Sequence, residues 1–286
     1  MKTTRYITRF LNSKQAAGIA QNTIANYSRI LNRYATQYPT WPPTIDNLEQ
    51  YLAQRRAQVQ PITANGDYRV LAVFLNWCHR REFIDKNPVD QMDKPRRVKP
   101  SPQPATRDTI KRLFAAIDAQ ATPGNIWPIR DKALFRFIYD TGARATETAL
   151  LQLKDVDLLL PACHVLGKGG QHRWAFFSRK TAAAMQGWLD IHPGGNALFT
   201  TQIYTPMSRK RIYLALQVWC RAIKTPLTVH QLRHSYATHA LRRGIDLRLV
   251  QRQLGHSNLS TTAMYLGATD EELLHAQLKL SPGGDL

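Results

Sequence analysis

Thr228-Val229-His230-Gln231-Leu232-Arg233-His234-Ser235-Tyr236-Ala237-Thr238-His239 is the stretch on which the reading of the chain turns. Leu254-Gly255-His256 follows it, and then Thr261-Thr262-Ala263-Met264-Tyr265. His230 and Arg233 are three residues apart, so on a helix they share a face. Arg233 is a permanent cation whose planar fork of donors suits a phosphate. His230 and His256 can donate or transfer protons near neutral pH, and Tyr265 offers a phenol with an unperturbed pKa of ~10. These are the titratable types needed to cut a phosphodiester without a metal.

The charge of the whole chain points to the same kind of partner. The 286 residues carry 39 Lys and Arg against 20 Asp and Glu, a net charge of +19. Such an excess bears on partners rather than fold, and the commonest polyanion is nucleic acid. The bland alternatives are a solvated basic surface or a ribosome-associated protein. Residues 1–104 hold 16 basic and 7 acidic side chains, and residues 105–286 hold 23 and 13. Both halves are therefore cationic, as expected of a clamp that grips phosphates from two sides.

Working outward toward the N-terminus, apolar residues recur at helical spacing. Tyr6, Ile7, Phe10 and Leu11 are punctuated by Gly18. Thr23 is expected to cap a helix through Ile24, Tyr27, Ile30, Leu31 and Tyr34, and Thr44 one through Ile45, Leu48, Tyr51 and Leu52. A fourth helix is expected from about Ala64 through Trp77. Arg29, Arg33, Arg55, Arg56, Arg69, Arg80 and Arg81 lie on the polar faces and read as a surface for DNA phosphates. Residues 94–104 hold four prolines and four basic residues, which keeps them extended and makes them poor core material. They read as a linker between a helical unit, 1–93, and a second unit, 105–286.

In that second unit Thr106 caps a helix to Asp118, and another runs from about Trp127 to Asp140. Gly142 ends it, and Arg144 opens a further helical pattern with Leu150 and Leu153 apolar. Between 155 and 178 the period changes to that of strands, broken by Pro161 and by Gly167-Lys168-Gly169-Gly170. This turn lacks P-loop spacing, so no nucleotide is expected. Helical patterns return at Lys180–Leu189, Ser208–Ile223, Leu232–Leu241, Leu247–Leu254 and Thr261–Leu266. Thr269-Asp270-Glu271-Glu272 is a capping box for a last helix bearing Leu273, Leu274, Leu278 and Leu280.

Several function classes are set aside at this stage. No run approaches the ~20 apolar residues of a membrane span, and Met1 to Arg9 has no signal-peptide character. Cys78, Cys163 and Cys220 have no metal-ligand spacing and read as buried thiols of a reducing compartment, so a cytoplasmic protein is expected. His230 and His234 have zinc-like spacing but no third ligand, and no metal or other cofactor is expected.

Taken in order, Arg144, Lys168, His230, Arg233, His256 and Tyr265 resemble the site of the tyrosine recombinases, or phage integrases, most of all their short Xer-like members. The resemblance extends to the helical N-terminal half, the basic linker and the Gly-x-Arg-x-x-Glu box of Gly142, Arg144 and Glu147. It implies a mainly α fold with a small β-sheet. The implied architecture is a two-domain, C-shaped DNA clamp, with a helical-bundle core-binding domain before a mixed α+β catalytic domain. It further implies that Tyr265 attacks the scissile phosphate and forms a 3′-phosphotyrosyl link, and that Arg144 and Arg233 hold the non-bridging oxygens. Lys168 then serves as general acid for the leaving 5′-oxygen, His230 assists proton transfer, and His256 donates to a phosphate oxygen. Strand exchange follows without ATP or metal.

Implied partners are duplex DNA with short inverted-repeat sites and a tetramer, either of one chain or with a related recombinase. The last helix, with Leu273, Leu274 and Leu278, is expected to dock on a neighbouring protomer. The chain departs from the family pattern at Ala143, where leucine is usual. It departs again at Gln171-His172-Arg173, where a second lysine is common, which puts local DNA contacts in doubt. Type IB topoisomerases share the chemistry, and a catalytically silent DNA-binding regulator shares the fold. A metal-dependent nuclease needs a carboxylate cluster, whereas the acids here read as caps and helix surface.

Overall fold

The computed structural model describes residues 2–96, 103–122, 124–167, 170–255 and 270–285. The chain divides into two compact units, Met1–Ser101 and Pro102–Leu286. Lys168, His256 and Tyr265 lie outside the described residues, as do the helix expected at Thr261–Leu266, the cap Thr269 and much of the linker.

The first unit consists of α1 (Thr3–Ala16), α2 (Gln21–Gln37), α3 (Ile45–Gln58), α4 (Pro61–Arg80) and a 3-10 turn at Pro88–Gln91. Thr44 caps α3 by accepting from the Asn47 amide. Thr23 caps nothing: α2 starts two residues earlier, with Ala20 at the cap position. Pro61 opens α4 at its first turn, where a missing N–H costs little. Phe10, Leu31, Tyr34, Leu48, Tyr51, Phe74 and Leu75 form the core.

One carboxylate is sunk into that core. Asp67 accepts from Arg55 Nε at 2.8 Å and Arg33 Nη1 at 3.2 Å, and the Tyr51 hydroxyl lies 3.5 Å away. Arg33 and Arg55 therefore hold a buried acid together. They do not form part of an open phosphate-binding face, contrary to the expectation from the helical pattern. Arg29, Arg56, Arg69, Arg80 and Arg81 remain exposed.

The second unit is mainly helical around a small sheet. It contains α5 (Arg107–Asp118), α6 (Trp127–Thr141), the one-turn α7 (Ala145–Ala149), α8 (Arg179–Leu189), α9 (Arg209–Ala222), α10 (Val229–Arg242), α11 (Leu247–Leu254) and α12 (Asp270–Leu280). Strands β1 (Val156–Asp157), β2 (Ala162–Leu166) and β3 (His172–Phe176) pair antiparallel in that order. Every residue of α6 from Ala133 onward is buried, as expected of a helix enclosed on all sides. The pattern after Arg144 yields one helical turn instead of a longer helix, and Leu150 is exposed.

The sheet alternates cleanly. Cys163, Val165, Arg173 and Ala175 face inward, while His164 stacks with His172 and leans on Trp174 on the outer side. Farther along that outer side, α12 covers Ala162 and Phe176 with Leu273, which is fully buried. Gln277 of α12 donates to Asp140 O at 2.6 Å and Phe176 O at 3.0 Å, and accepts from the Tyr236 hydroxyl at 3.3 Å. The tail then returns to α6, where the Gly283 amide donates to Asp140 Oδ1 at 3.2 Å. A side chain at Gly283 would overlap that carboxylate. In the single chain the last helix thus packs on its own domain. The amphipathic pattern gives the apolar face but does not select what covers it.

Removing the Asp67 carboxylate strands two guanidiniums in a largely buried setting. Asp67→Ala is expected to lower the opening free energy of α2–α4 by about 3 kcal/mol. Native-state hydrogen exchange checks this, with α6 and α10 as unaffected internal references.

Candidate active site

Helix α10 begins at a reciprocal cap. The Gln231 amide donates to Thr228 Oγ1 at 3.0 Å, and the Thr228 amide donates to Gln231 Oε1 at 3.0 Å. This fixes the first turn, which exposes His230 and, one turn later, directs Arg233 inward. Arg233 is only 8% exposed. Its Nη1 donates to the carbonyl of Gly142 and its Nη2 to Leu254 O at 2.9 Å. One guanidinium thus ties the end of α6 to the end of α11.

Gly142 is required at this junction on two counts. It stops α6 with φ of +65°, a region costly to residues with a Cβ. A Cβ there would also stand 2.5 Å from Leu254 Cδ2 and 2.8 Å from Tyr236 Cδ1.

Two residues beyond Gly142, Arg144 caps α7. Its amide donates to Glu147 Oε2 at 2.8 Å and its Nη1 to Oε1 at 2.6 Å. Arg173 reaches the same carboxylate from β3, with Nη2 to Oε2 at 3.1 Å. Glu147 is 2% exposed. Burial alone pushes its carboxyl up, but the charge of Arg173 and the hydrogen bonds from Arg144 and Arg173 outweigh that and hold it below the usual range. Arg233 is pushed down to about 10 by burial first and then by the charge of Arg144; Glu147 opposes this, and Arg173 adds to it. It remains cationic at neutral pH.

Arg144, Arg173 and Arg233 therefore feel one another around a single carboxylate, which leaves two positive charges uncompensated. Arg144 keeps 37% of its side chain in solvent. Among the described residues, two of the five Arg233 donors are engaged by carbonyls. An anion with several oxygens relieves the repulsion and accepts guanidinium donors, which is how a phosphate meets arginines.

Of the six residues singled out in the sequence, Arg144 and Arg233 are brought together, and His230 stands at the exposed first turn leading to Arg233. Positions 168, 256 and 265 are not described. Two further participants escaped the motif reading. Gln253 is fully buried and brackets Phe176, with its Nε2 donating to Phe176 O at 2.5 Å and its Oε1 accepting from the Phe176 amide at 3.3 Å. Arg173, read only as a departure from a common lysine, is an inward strand residue opposite Val165. Strand alternation carried that signal, since an inward arginine requires a buried partner.

Tyr236 is fully buried and its phenol is raised by burial, which makes it a packing residue and not a nucleophile. Among the described residues no group of three or more His, Cys, Asp or Glu is placed to hold a metal.

Residues 105–272 match the phage integrase family. The chain belongs to that family. It is 30% identical over 277 residues to tyrosine recombinase XerD of Ralstonia nicotianae, covering 91% of this chain and 89% of that protein. It is also 30% identical to tyrosine recombinase XerC of Haemophilus ducreyi, over 86% of this chain and 84% of the relative. Among solved structures, a lambda integrase tetramer bound to a Holliday junction superposes with a TM-score of 0.75 at 14% identity, over 91% of this chain and 79% of that one. At that identity the structural likeness establishes the phage integrase fold.

The Glu147 carboxylate titrates with a definite sign. Its folded pKa lies below the ordinary ~4.3, so the stability it contributes is present above that range and is lost as pH falls through the folded value. Glu147→Gln is expected to destabilise the protein by about 2 kcal/mol at pH 7. Urea unfolding should find the same gap at pH 5.5 and a closing gap only in stronger acid.

Proposed function

We propose that the protein is a site-specific DNA recombinase that cleaves and rejoins duplex DNA through a covalent 3′-phosphotyrosyl intermediate. The observation that supports this best is the surplus of two positive charges among Arg144, Arg173 and Arg233 around the single buried carboxylate of Glu147. Preorganised cations stabilise the charge that develops on a phosphorane-like transition state without reorganising during the reaction. Arg144 and Arg233 bind the non-bridging oxygens. Tyr265 attacks the phosphorus, its phenolic proton is taken up with help from His230, and the bond to the 5′-oxygen breaks. Lys168 gives that oxygen its proton, and His256 donates to a phosphate oxygen. The phosphotyrosyl bond conserves the energy of the broken one, so the 5′-hydroxyl of a partner strand can displace Tyr265 without ATP or metal.

The substrate is duplex DNA with short inverted repeats, bound by the helical residues 1–93 and the catalytic residues 105–286 on either side of the 94–104 linker. Two protomers act per site and four per synapse, whether of one chain or with a related recombinase. The net charge of +19 supports the DNA partner. The lambda relative supports the tetramer by analogy, being a tetramer on a junction. The protein works in the cytoplasm, a placement supported by the free cysteines Cys78, Cys163 and Cys220. Among the described residues no helix is long and apolar enough to cross a membrane.

Covalent trapping tests this reading. Wild type and Tyr265→Phe are incubated in EDTA with nicked duplexes made from DNA flanking the gene, and adducts surviving denaturant are sought. Wild type alone is expected to form them. Selective binding without any adduct overturns the recombinase reading in favour of a silent DNA-binding regulator.

Arg144→Ala is expected to slow adduct formation about a hundredfold, on the order of 3 kcal/mol, the scale of losing one preorganised donor. Single-turnover kinetics at saturating DNA measure it.

A further inference from the structure

Arg173 occupies the junction of three elements, β3, α7 and α11. It stands on β3, five positions after Lys168 in the sequence. Its Nη2 donates to Glu147 Oε2 at 3.1 Å, the carboxylate that also holds the amide and guanidinium of Arg144. Its Nε donates to Gln253 O at 3.0 Å, in the last turn of α11. Its side chain lies against Gly255, where a Cβ would come within 3.0 Å of Nε and 3.2 Å of Cζ. Gly255 has φ of +62° and ends α11 where Arg173 rests on it. Its Nη1 is buried with no hydrogen-bond partner among the described residues. A buried donor left without a partner is costly, so this guanidinium is held in place by the contacts it does make.

We propose that Arg173 is a positioning residue for DNA cleavage, setting Arg144 through Glu147 and setting the end of α11 through Gln253 and Gly255. It does this without touching the phosphate. The proposal rests on the recombinase reading, and it deepens that reading by adding a residue outside the six carried by the motif. Lysine cannot replace Arg173, because a single ammonium on a flexible stem does not span a carboxylate and a carbonyl in one plane.

The test uses full-length Arg173→Gln and Arg173→Lys beside wild type, with two readouts. The first needs no DNA. Amide exchange of the peptide 248–258 is expected to be at least tenfold faster in Arg173→Gln and intermediate in Arg173→Lys, with Tm within a few degrees of wild type. Unchanged local exchange overturns the proposal. The second uses the duplex on which wild type forms its tyrosyl adduct. Arg173→Gln is expected to bind it within threefold of wild type and cleave it at least tenfold more slowly at saturation. On the same duplex with a neutral methylphosphonate at the scissile position, the gap is expected to shrink to within threefold. That substrate lacks the charge a correctly set Arg144 neutralises. Equal losses on both substrates overturn the proposal and leave Arg173 a merely structural residue. If wild type forms no adduct on any fragment, the recombinase reading fails while the exchange experiment still decides whether Arg173 sets the end of α11.

Discussion

A single buried carboxylate makes the rest of the site possible. Arg144, Arg173 and Arg233 repel one another, and confining them in a poorly solvated region costs free energy that no apolar packing returns. Glu147 offsets enough of that repulsion to let them stay, and too little to neutralise them. The surplus charge is what an incoming anion would relieve. A second acid here would make the empty protein more stable and the site weaker, so stability and function pull in opposite directions at this position.

The second requirement is that the cations be held by groups that do not move. The Arg233 fork closes on two main-chain carbonyls, those of Gly142 and Leu254, which belong to the ends of two packed helices. Side-chain partners would let it swing; carbonyls at helix ends do not. Gly142 meets three demands at once: a left-handed stop for α6, an acceptor for Arg233, and an absent Cβ where Leu254 and Tyr236 close in. Gln253 plays the matching part on the other side, where its amide pairs with both backbone groups of Phe176 and extends the edge of β3 as another strand would. The charged centre is therefore bounded by backbone, and its geometry is inherited from the fold.

Much of this was legible in the sequence, unevenly and for physical reasons. Caps are local chemistry, so Thr44 and Thr106 marked their helices correctly, although Thr23 did not. Gly142 was recognisable as a stop because few other residues tolerate a positive φ. The mainly helical fold with one small sheet followed from periodicity. What failed was long-range. Asp67 recruits Arg33 and Arg55 across 34 and 12 positions of chain, and nothing in either helix announces a buried acid on another. Arg173 is an intermediate case, since strand alternation placed it inward while its partners lay on α7 and α11. Lys168, His256 and Tyr265 were read from motif alone, and it is through the resemblance that they take their roles.

The last helix shows how a local pattern leaves its long-range partner open. Leu273 and Leu274 do lie on an apolar face, and in the single chain that face packs against Ala162 and Phe176 of the sheet and, with Ala276 and Leu280, against α11. The attachment is polar as well as apolar. Phe176 O accepts from Gln277 of α12 and from Gln253 of the site's boundary at the same time, and Asp140 receives the Gly283 amide on its carboxylate and Gln277 on its carbonyl. Any assembly in which α12 is exchanged between protomers must supply replacements for those bonds, because buried acceptors left empty are costly. A neighbour offering an identical helix supplies identical donors. Exchange among copies of one chain is then close to neutral in its bonds and is governed by the entropy of association. The same carbonyl that anchors the tail also accepts from Gln253 beside the arginine cluster, so α12 and that cluster are in mechanical contact through one residue, Phe176.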